Sequence, residues 1–176
     1  MKRLLVLLTA LAVTLSLAGC GADTKESRTG DTMATYFFEF TVNSAALTND
    51  YEGYTPAEGN ALLVAEVTVK NTFKESIEMY DADFQLGWGD EDDAFAYPIT
   101  INTETMEELE PVGENQLPGT YTLAVDEERT GDLVFEVPVG QADFSIGYRE
   151  MFDDGSEDGQ SGDTHFVYFT AKEMAE

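Results

Sequence analysis

An acidic, glycine-containing stretch near the C-terminus has the most evident capacity for chemistry. Residues 154–159, Asp-Gly-Ser-Glu-Asp-Gly, place oxygen donors at the first, third and fifth positions and glycine at the sixth, an order typical of calcium-binding loops. The twelfth position, where such loops provide a bidentate glutamate, is His165. The candidate calcium ligands are Asp154, Ser156 and Asp158. A solvated acidic turn between two strands is the competing interpretation.

A second acidic cluster follows a probable strand end at residues 90–93. Asp90, Asp92 and Asp93 become further calcium ligands if this cluster lies near the first one in space, since calcium requires six to eight oxygens. By itself, the cluster is typical of a solvated hairpin tip. Calcium is therefore a hypothesis for these loops, and the sequence predicts no other cofactor.

Residues suited to catalysis are few. His165 is the only histidine, whereas a Ser-His-Asp triad needs a nucleophile elbow that this chain lacks and a zinc site needs several such ligands. Among 35 acidic residues, some carboxylate pair reaches the separation for glycoside hydrolysis by chance. The sequence therefore predicts a protein that is not an enzyme, with an envelope hydrolase as a distant alternative.

The N-terminus has the pattern of a secretory signal. Lys2 and Arg3 precede an uncharged run over Leu4–Leu17, and the sequence Leu-Ala-Gly-Cys closes it at Cys20. This ending resembles the lipobox of bacterial lipoproteins, and an ordinary signal peptide with a chance cysteine is the alternative. The resemblance implies cleavage after residue 19 and a diacylglyceryl thioether on Cys20. Two acyl chains on one residue suffice for stable anchoring, so we expect a lipid-anchored protein on the extracytoplasmic face of the cell membrane.

The charge of the mature chain restricts its partners. Removal of Lys2 and Arg3 from nine basic residues leaves seven against 35 acidic ones, a formal charge of −28. Nucleic acid would be repelled, so we expect none as a partner. Cys20 is the only cysteine, which excludes an intrachain disulfide.

In the segments that connect these loops, apolar residues recur at every second position, as in β-strands. In Leu62–Asn71 one side is wholly apolar and the other becomes polar along the strand, which predicts the central strand of a sandwich. About eight or nine short strands with regular turn signals predict an all-β, antiparallel fold. Thr103–Glu114 is the one helix-like piece, expected to form a short helical turn or loop with Met106 and Leu109 facing inward. The predicted organisation is a signal peptide over 1–19, a lipidated cysteine and flexible tether over 20–33, and one domain over 34–176.

The order of these strands resembles a known family. Quoted in order, the segments are NALLVAEVTVKNT at 60–72, YDADFQLGWGD at 80–90, LPGTYTLAVDEERTGDLVFEVP at 117–138 and FSIGY at 144–148. They resemble bacterial lipoprotein domains of unknown function that share an Ig-like β-sandwich with the mycobacterial immunoprotective extracellular protein. The resemblance implies this fold, and it brings no catalytic or binding residues with it.

These observations favour a binding or interaction module at the cell envelope, with an unknown protein, peptide or glycan as ligand. Tyr51, Tyr54 and Tyr121 are the candidate contact residues, and packing over one end of the sandwich is the alternative for them. A structural or accessory lipoprotein that binds calcium through its acidic loops is the alternative function.

Overall fold

A computed structural model describes residues 22–89, 94–152, 155 and 160–173. Fourteen strands and one 3-10 helix, Asp81–Asp83, account for its regular structure, and the described residues contain no α-helix. The strands in chain order are β1 (Thr24–Arg28), β2 (Thr32–Ala34), β3 (Phe38–Thr48), β4 (Asn60–Asn71), β5 (Ile77–Tyr80), β6 (Phe84–Gly87), β7 (Phe95–Ala96), β8 (Ile101–Asn102), β9 (Glu107–Glu108), β10 (Thr120–Leu123), β11 (Glu128–Pro138), β12 (Asp143–Phe152), β13 (Gln160–Thr170) and β14 (Lys172–Glu173). The predicted all-β sandwich is confirmed.

The first layer, here the β4 sheet, has the strand order β11-β4-β3-β14, with β2 also paired to β3. Strand β4 is antiparallel to both β3 and β11, and its pairing with β11 runs from Asn60 to Lys70 without a break in register. Leu63, Ala65 and Val67 alternate on its inner side and are fully buried. The prediction that this segment is a central strand is therefore confirmed.

The second layer, here the β12 sheet, has the strand order β1-β13-β12-β6-β7. Alternate side chains of β12 and β13 point at the β4 sheet, because successive residues of a strand face opposite sides. Phe144, Ile146, Val167 and Phe169 from these strands join one core with the apolar side chains of the β4 sheet.

The chain passes from a two-stranded sheet to the β12 sheet at the 3-10 helix. Strand β5, before it, pairs with β10, whereas β6, after it, pairs with β12. The pairing of β6 with β12 covers only Ser145 to Tyr148. Beyond Tyr148, the side of β12 that faces β5 has no strand partner among the described residues.

The N-terminal segment corrects one prediction. A flexible tether was expected over residues 20–33, but Thr24–Arg28 forms β1, which pairs in parallel with β13, and Thr32–Ala34 forms β2. The ion pair between Lys25 Nζ and Asp163 Oδ2, at 2.7 Å, adds to the backbone pairing of β1. The ordered domain therefore begins before residue 34.

The helix-like piece also differs from expectation. Ile101–Asn102 and Glu107–Glu108 form a small hairpin, β8–β9, joined by turns. Met106 and Leu109 are 58% and 45% exposed, so they do not face the core as expected. No helix among the described residues has the length and apolar character needed to cross a membrane.

Candidate binding cleft

A cleft of about 290 Å³ opens where β5 and β12 separate. It exists because β5 pairs with β10 in a separate sheet, whereas β6, which follows the 3-10 helix, pairs with β12 only as far as Tyr148. Phe37, Ile77 and Met79 give this gap apolar walls. An apolar concavity of this kind is typical of a site that accepts an apolar group of a ligand.

Five polar residues line the same cleft, namely Glu78, Tyr80, Asp83, Tyr148 and Arg149. Tyr80 donates its hydroxyl hydrogen to Glu78, so these two already pair with each other. The Tyr148 ring is buried, and its hydroxyl makes no hydrogen bond to a described residue. Burial, followed by the nearby charges of Asp83 and Glu150, raises the pKa of Tyr148, so it is a neutral donor at physiological pH. Arg149 is exposed and forms no ion pair within the part of the chain that the structure describes. An unpaired guanidinium in such an acidic protein is suited to a carboxylate or phosphate of a ligand.

The cleft continues onto the outer face of the β12 sheet as a trough of about 390 Å³, which shares Asp83, Tyr148, Arg149 and Met151 with it. Small residues, Gly87, Ser145 and Gly147, form the floor of the trough.

An aromatic ring occupies part of this floor. Phe166 packs directly on Gly147, where a Cβ atom would lie 2.9 Å from Phe166 Cε1, so any larger residue at 147 would displace the ring. Phe95, on the edge strand β7, is 46% exposed and lines the same trough. The cleft and the trough together form a continuous surface that suits an extended chain rather than a compact ligand.

A buried polar cluster lies behind the cleft. The register shift of β12 between Arg149 and Met151 isolates Glu150, which is 5% exposed, and His165 is fully buried beside it. Glu150 Oε1 lies 3.2 Å from His165 Nε2 and accepts a hydrogen bond from the Tyr36 amide at 2.8 Å. Glu150 Oε2 accepts from the Asp163 amide at 3.2 Å. The cluster therefore joins β12 and β13 to the segment before β3.

The same residues are the ones that could hold a metal. Single ligand atoms of Glu150, Asp163 and His165 lie within 4.8 Å of one another. However, both Glu150 oxygens accept hydrogen bonds, and Asp163 is bound to Lys25 Nζ and to the Asp23 amide. A metal would have to displace these partners, so the arrangement is suited first to structural hydrogen bonding.

Sequence reasoning missed this cluster, although a signal for it exists. Glu150 continues the inward alternation of Phe144, Ile146 and Tyr148, and a carboxylate at an inward position indicates a buried hydrogen-bonded acid. His165 was interpreted as structural, which agrees with its buried position.

Two of the three predicted contact tyrosines are buried. Tyr51 is 9% exposed, packs with Leu62 and Val134 on the outer side of the β4 sheet, and donates a 2.9 Å hydrogen bond to Asp132. Burial is also the main reason that the pKa of Tyr51 is raised. The prediction that Tyr51 contacts a ligand is wrong, because its ring is covered and its hydroxyl is already bonded.

Tyr121 is 6% exposed, and the Arg129 guanidinium lies 4.9 Å from its ring centroid, so it too has a packing role and not the predicted contact role. Tyr54 is partly exposed, and its hydroxyl lies 3.5 Å from Glu136 Oε2. None of the three tyrosines lines the cleft or the trough.

The other predicted site residues lie outside the described residues. They are the lipidation site Cys20 and the calcium candidates Asp90, Asp92, Asp93, Asp154, Ser156 and Asp158. Their roles stay predictions from the sequence.

Solved structures of two Bacillus subtilis proteins resemble this chain. The first, described as "a putative lipoprotein (ycdA)", has 18% sequence identity and a TM-score of 0.55, over 82% of this chain and 39% of its own. The second, the yjhA protein, has 19% identity and a TM-score of 0.50, over 80% of this chain and 97% of its own. At these identities the likeness concerns the fold alone, and this chain corresponds to well under half of the length of ycdA.

A comparison with curated proteins finds no match. The likeness to the mycobacterial immunoprotective extracellular protein stays a prediction from the sequence. A family match covers residues 27–157, most of the chain, and it includes β2 to β12, among them the strands that form the cleft. The chain therefore belongs to the family described as Domain of unknown function (DUF4352).

Proposed function

We propose that this protein is a lipid-anchored binding module on the extracytoplasmic face of the cell membrane, and that the cleft between β5 and β12 binds an extended peptide segment. The anchor is supported by the lipobox-like ending at Cys20 and by the description of ycdA as a lipoprotein. The single observation that carries the binding role is the unpaired Arg149 beside an apolar cleft.

The chemistry of the cleft indicates what kind of segment fits. Arg149 pairs with a carboxylate, the Tyr148 hydroxyl offers a hydrogen bond, and the apolar walls accept one apolar side chain. The backbone of β12 beyond Tyr148 has no strand partner towards β5, so an extended peptide can add to it. We therefore favour a peptide that carries an apolar residue near an acidic group.

The anchor is tested by mass spectrometry of the protein extracted from membranes of the cells that make it. The expected result is a chain that begins at an acylated Cys20, and Cys20→Ser is expected to release the protein from the membrane. An unmodified thiol at Cys20 would contradict the anchor.

The cleft is tested by photo-crosslinking of the full protein in the same cells. A benzophenone amino acid replaces Met151 at the cleft, or, as a matched control, Val139, which is 60% exposed and lies near Gly59 at the start of β4. We expect a crosslinked peptide or protein from position 151 alone, with a yield that falls severalfold in the Arg149→Ala background. A yield that is independent of Arg149 would contradict the proposal.

A further inference from the structure

Aromatic side chains gather at one end of the sandwich, where Phe37, Phe73 and Phe152 are half-buried and Tyr36 is exposed. The rings of Tyr36, Phe37, Phe73 and Phe152 contact one another with centroid separations between 4.8 and 6.0 Å, and we call these four rings and Met151 the aromatic end patch. Tyr36 is 60% exposed and Met151 is 50% exposed. Single exposed apolar residues are normal on a protein surface, whereas several that contact one another indicate an interaction surface.

The patch lies at the end of the domain where the chain leaves towards Cys20. The Asp23 amide donates to Asp163 Oδ1 at 2.9 Å, and the Asp163 amide donates to Glu150 Oε2. Glu150 Oε1 in turn accepts from the amide of Tyr36, a member of the patch. Three hydrogen bonds therefore connect the chain exit with the patch.

The pairing of β1 leaves little chain between the domain and the anchor. Only two residues lie between Cys20 and Asp23, so three residue steps of at most about 3.6 Å each span roughly 11 Å in all. A tether over residues 20–33 would have reached several times farther. With β1 docked on β13, this end of the sandwich must lie close to the headgroups.

We propose that the aromatic end patch lies in the interfacial layer of the bilayer, beside the lipid on Cys20. This inference rests on the proposed lipid anchor, and it adds which surface of the domain faces the membrane. Aromatic rings with a polar atom, such as Tyr36, favour the headgroup level, where the ring is in an apolar layer and the hydroxyl stays hydrated. Lys74 Nζ lies 5.8 Å from the Phe73 ring centroid and pairs with Glu75, and Lys25 pairs with Asp163, so this inference relies on the aromatic rings and not on positive charge.

The orientation also places the binding cleft beside the membrane surface, because Phe37 and Met151 belong both to the patch and to the lining of the cleft. The mature chain carries a formal charge of −28, so we expect the patch to prefer zwitterionic over anionic lipid.

The test places one tryptophan at each end of the domain. Trp88 is the only natural tryptophan, and it follows Gly87, which pairs with Ser145 seven residues before Phe152 on β12, or about 24 Å away along the strand. The mature chain, with or without Tyr36→Trp, is coupled through Cys20 to a maleimide phospholipid in phosphatidylcholine vesicles that contain brominated acyl chains.

We expect brominated lipid to lower the emission of the Tyr36→Trp variant roughly twofold, because the ring at position 36 lies at the interface, and to leave the wild-type emission unchanged. Equal, unquenched emission from both proteins would overturn the inference, provided circular dichroism shows the same strand content. Chemical coupling supplies the anchor, so this outcome is separate from whether Cys20 is acylated in cells.

Discussion

Strands β4 and β12 are both inner strands of their sheets, but they differ in how much of their length is paired on both sides. Strand β4 has a partner on both sides along almost its whole length, and its inner side chains from Ala61 to Val69 are apolar. Strand β12 has two partners only from Ser145 to Tyr148, after which β6 leaves it and its register shifts at Glu150. The cleft, the buried polar cluster and part of the aromatic end patch all lie at this second half of β12.

The difference indicates how one small domain separates stability from binding. Continuous pairing gives the backbone groups of β4 their hydrogen-bond partners, and its apolar side chains are buried. Strand β4 therefore stabilises the domain and leaves no group available to a ligand. Where pairing stops, backbone groups and side chains become available to a partner. The cost is that polar groups such as Glu150 need internal hydrogen-bond partners.

The largest expected effect is at β4. Leu63→Ala removes a fully buried side chain from the core and should lower the free energy of unfolding by about 4 kcal/mol, the lost burial plus the cavity left behind. Urea denaturation measures this. Val125→Ala, at a site that is 49% exposed, is the matched control and should change it by less than about 0.5 kcal/mol. A similar decrease in the free energy of unfolding in both variants would show that burial at β4 does not dominate the stability of the domain.

The next effect is at the polar half of β12. Glu150→Leu leaves the amides of Tyr36 and Asp163 and the ring of His165 without their acceptor, at a cost of about 3 kcal/mol in unfolding free energy. Glu150→Gln is the control, because its carbonyl oxygen can still accept from Tyr36 and the loss should be smaller. If Glu150→Leu were neutral, the cluster would not stabilise this end of the sheet.

Strand β4 could be predicted from the sequence, and β1 could not, for one physical reason. The alternation in Leu62–Asn71 records burial on one side, and burial leaves a mark on residue type. Strand β1, Thr24–Arg28, is polar and mostly exposed, and its place in the sheet comes from backbone hydrogen bonds, which any residue except proline can make. The same property made it resemble a flexible tether.

The cleft was beyond sequence reasoning because its walls come from distant segments. Met79 and Tyr148 meet only because the 3-10 helix carries the chain from the β5–β10 pair to the β12 sheet, and no local pattern records such a change. Tyr51 is a similar case, since the partner that holds its hydroxyl, Asp132, lies 81 residues away. Period-two alternation identifies which side chains face inward, and it does not identify which loops cover them.

A smaller effect concerns the 3-10 helix that opens the cleft. Asp81 is 1% exposed, and burial raises its pKa to about 6, although the hydrogen bond from the Thr100 hydroxyl to Oδ2 opposes this shift. Because the folded pKa is higher than the ordinary value of 3.8, the folded state binds the proton more tightly and loses stability as the pH rises towards and through about 6.

This effect is measured as a difference between two proteins. From about pH 5 to pH 7, the unfolding free energy of the wild type should fall by about 1 kcal/mol relative to Asp81→Asn, which cannot titrate. Urea denaturation at both pH values provides the measurement, and the comparison cancels the titration of the other carboxylates. Parallel pH profiles would show that Asp81 is not a buried, titrating acid.

The smallest effect on stability is expected where the binding chemistry is concentrated. Arg149→Ala removes an exposed side chain that forms no ion pair with a described residue, so the unfolding free energy should change by less than about 0.5 kcal/mol. The same variant should lower crosslinking from position 151 severalfold, because the guanidinium has no structural partner and is kept for the ligand. A stability loss as large as that of Glu150→Leu would mean that Arg149 belongs to the internal hydrogen-bond cluster. Arg149 would then have a structural role and would not be available to a ligand.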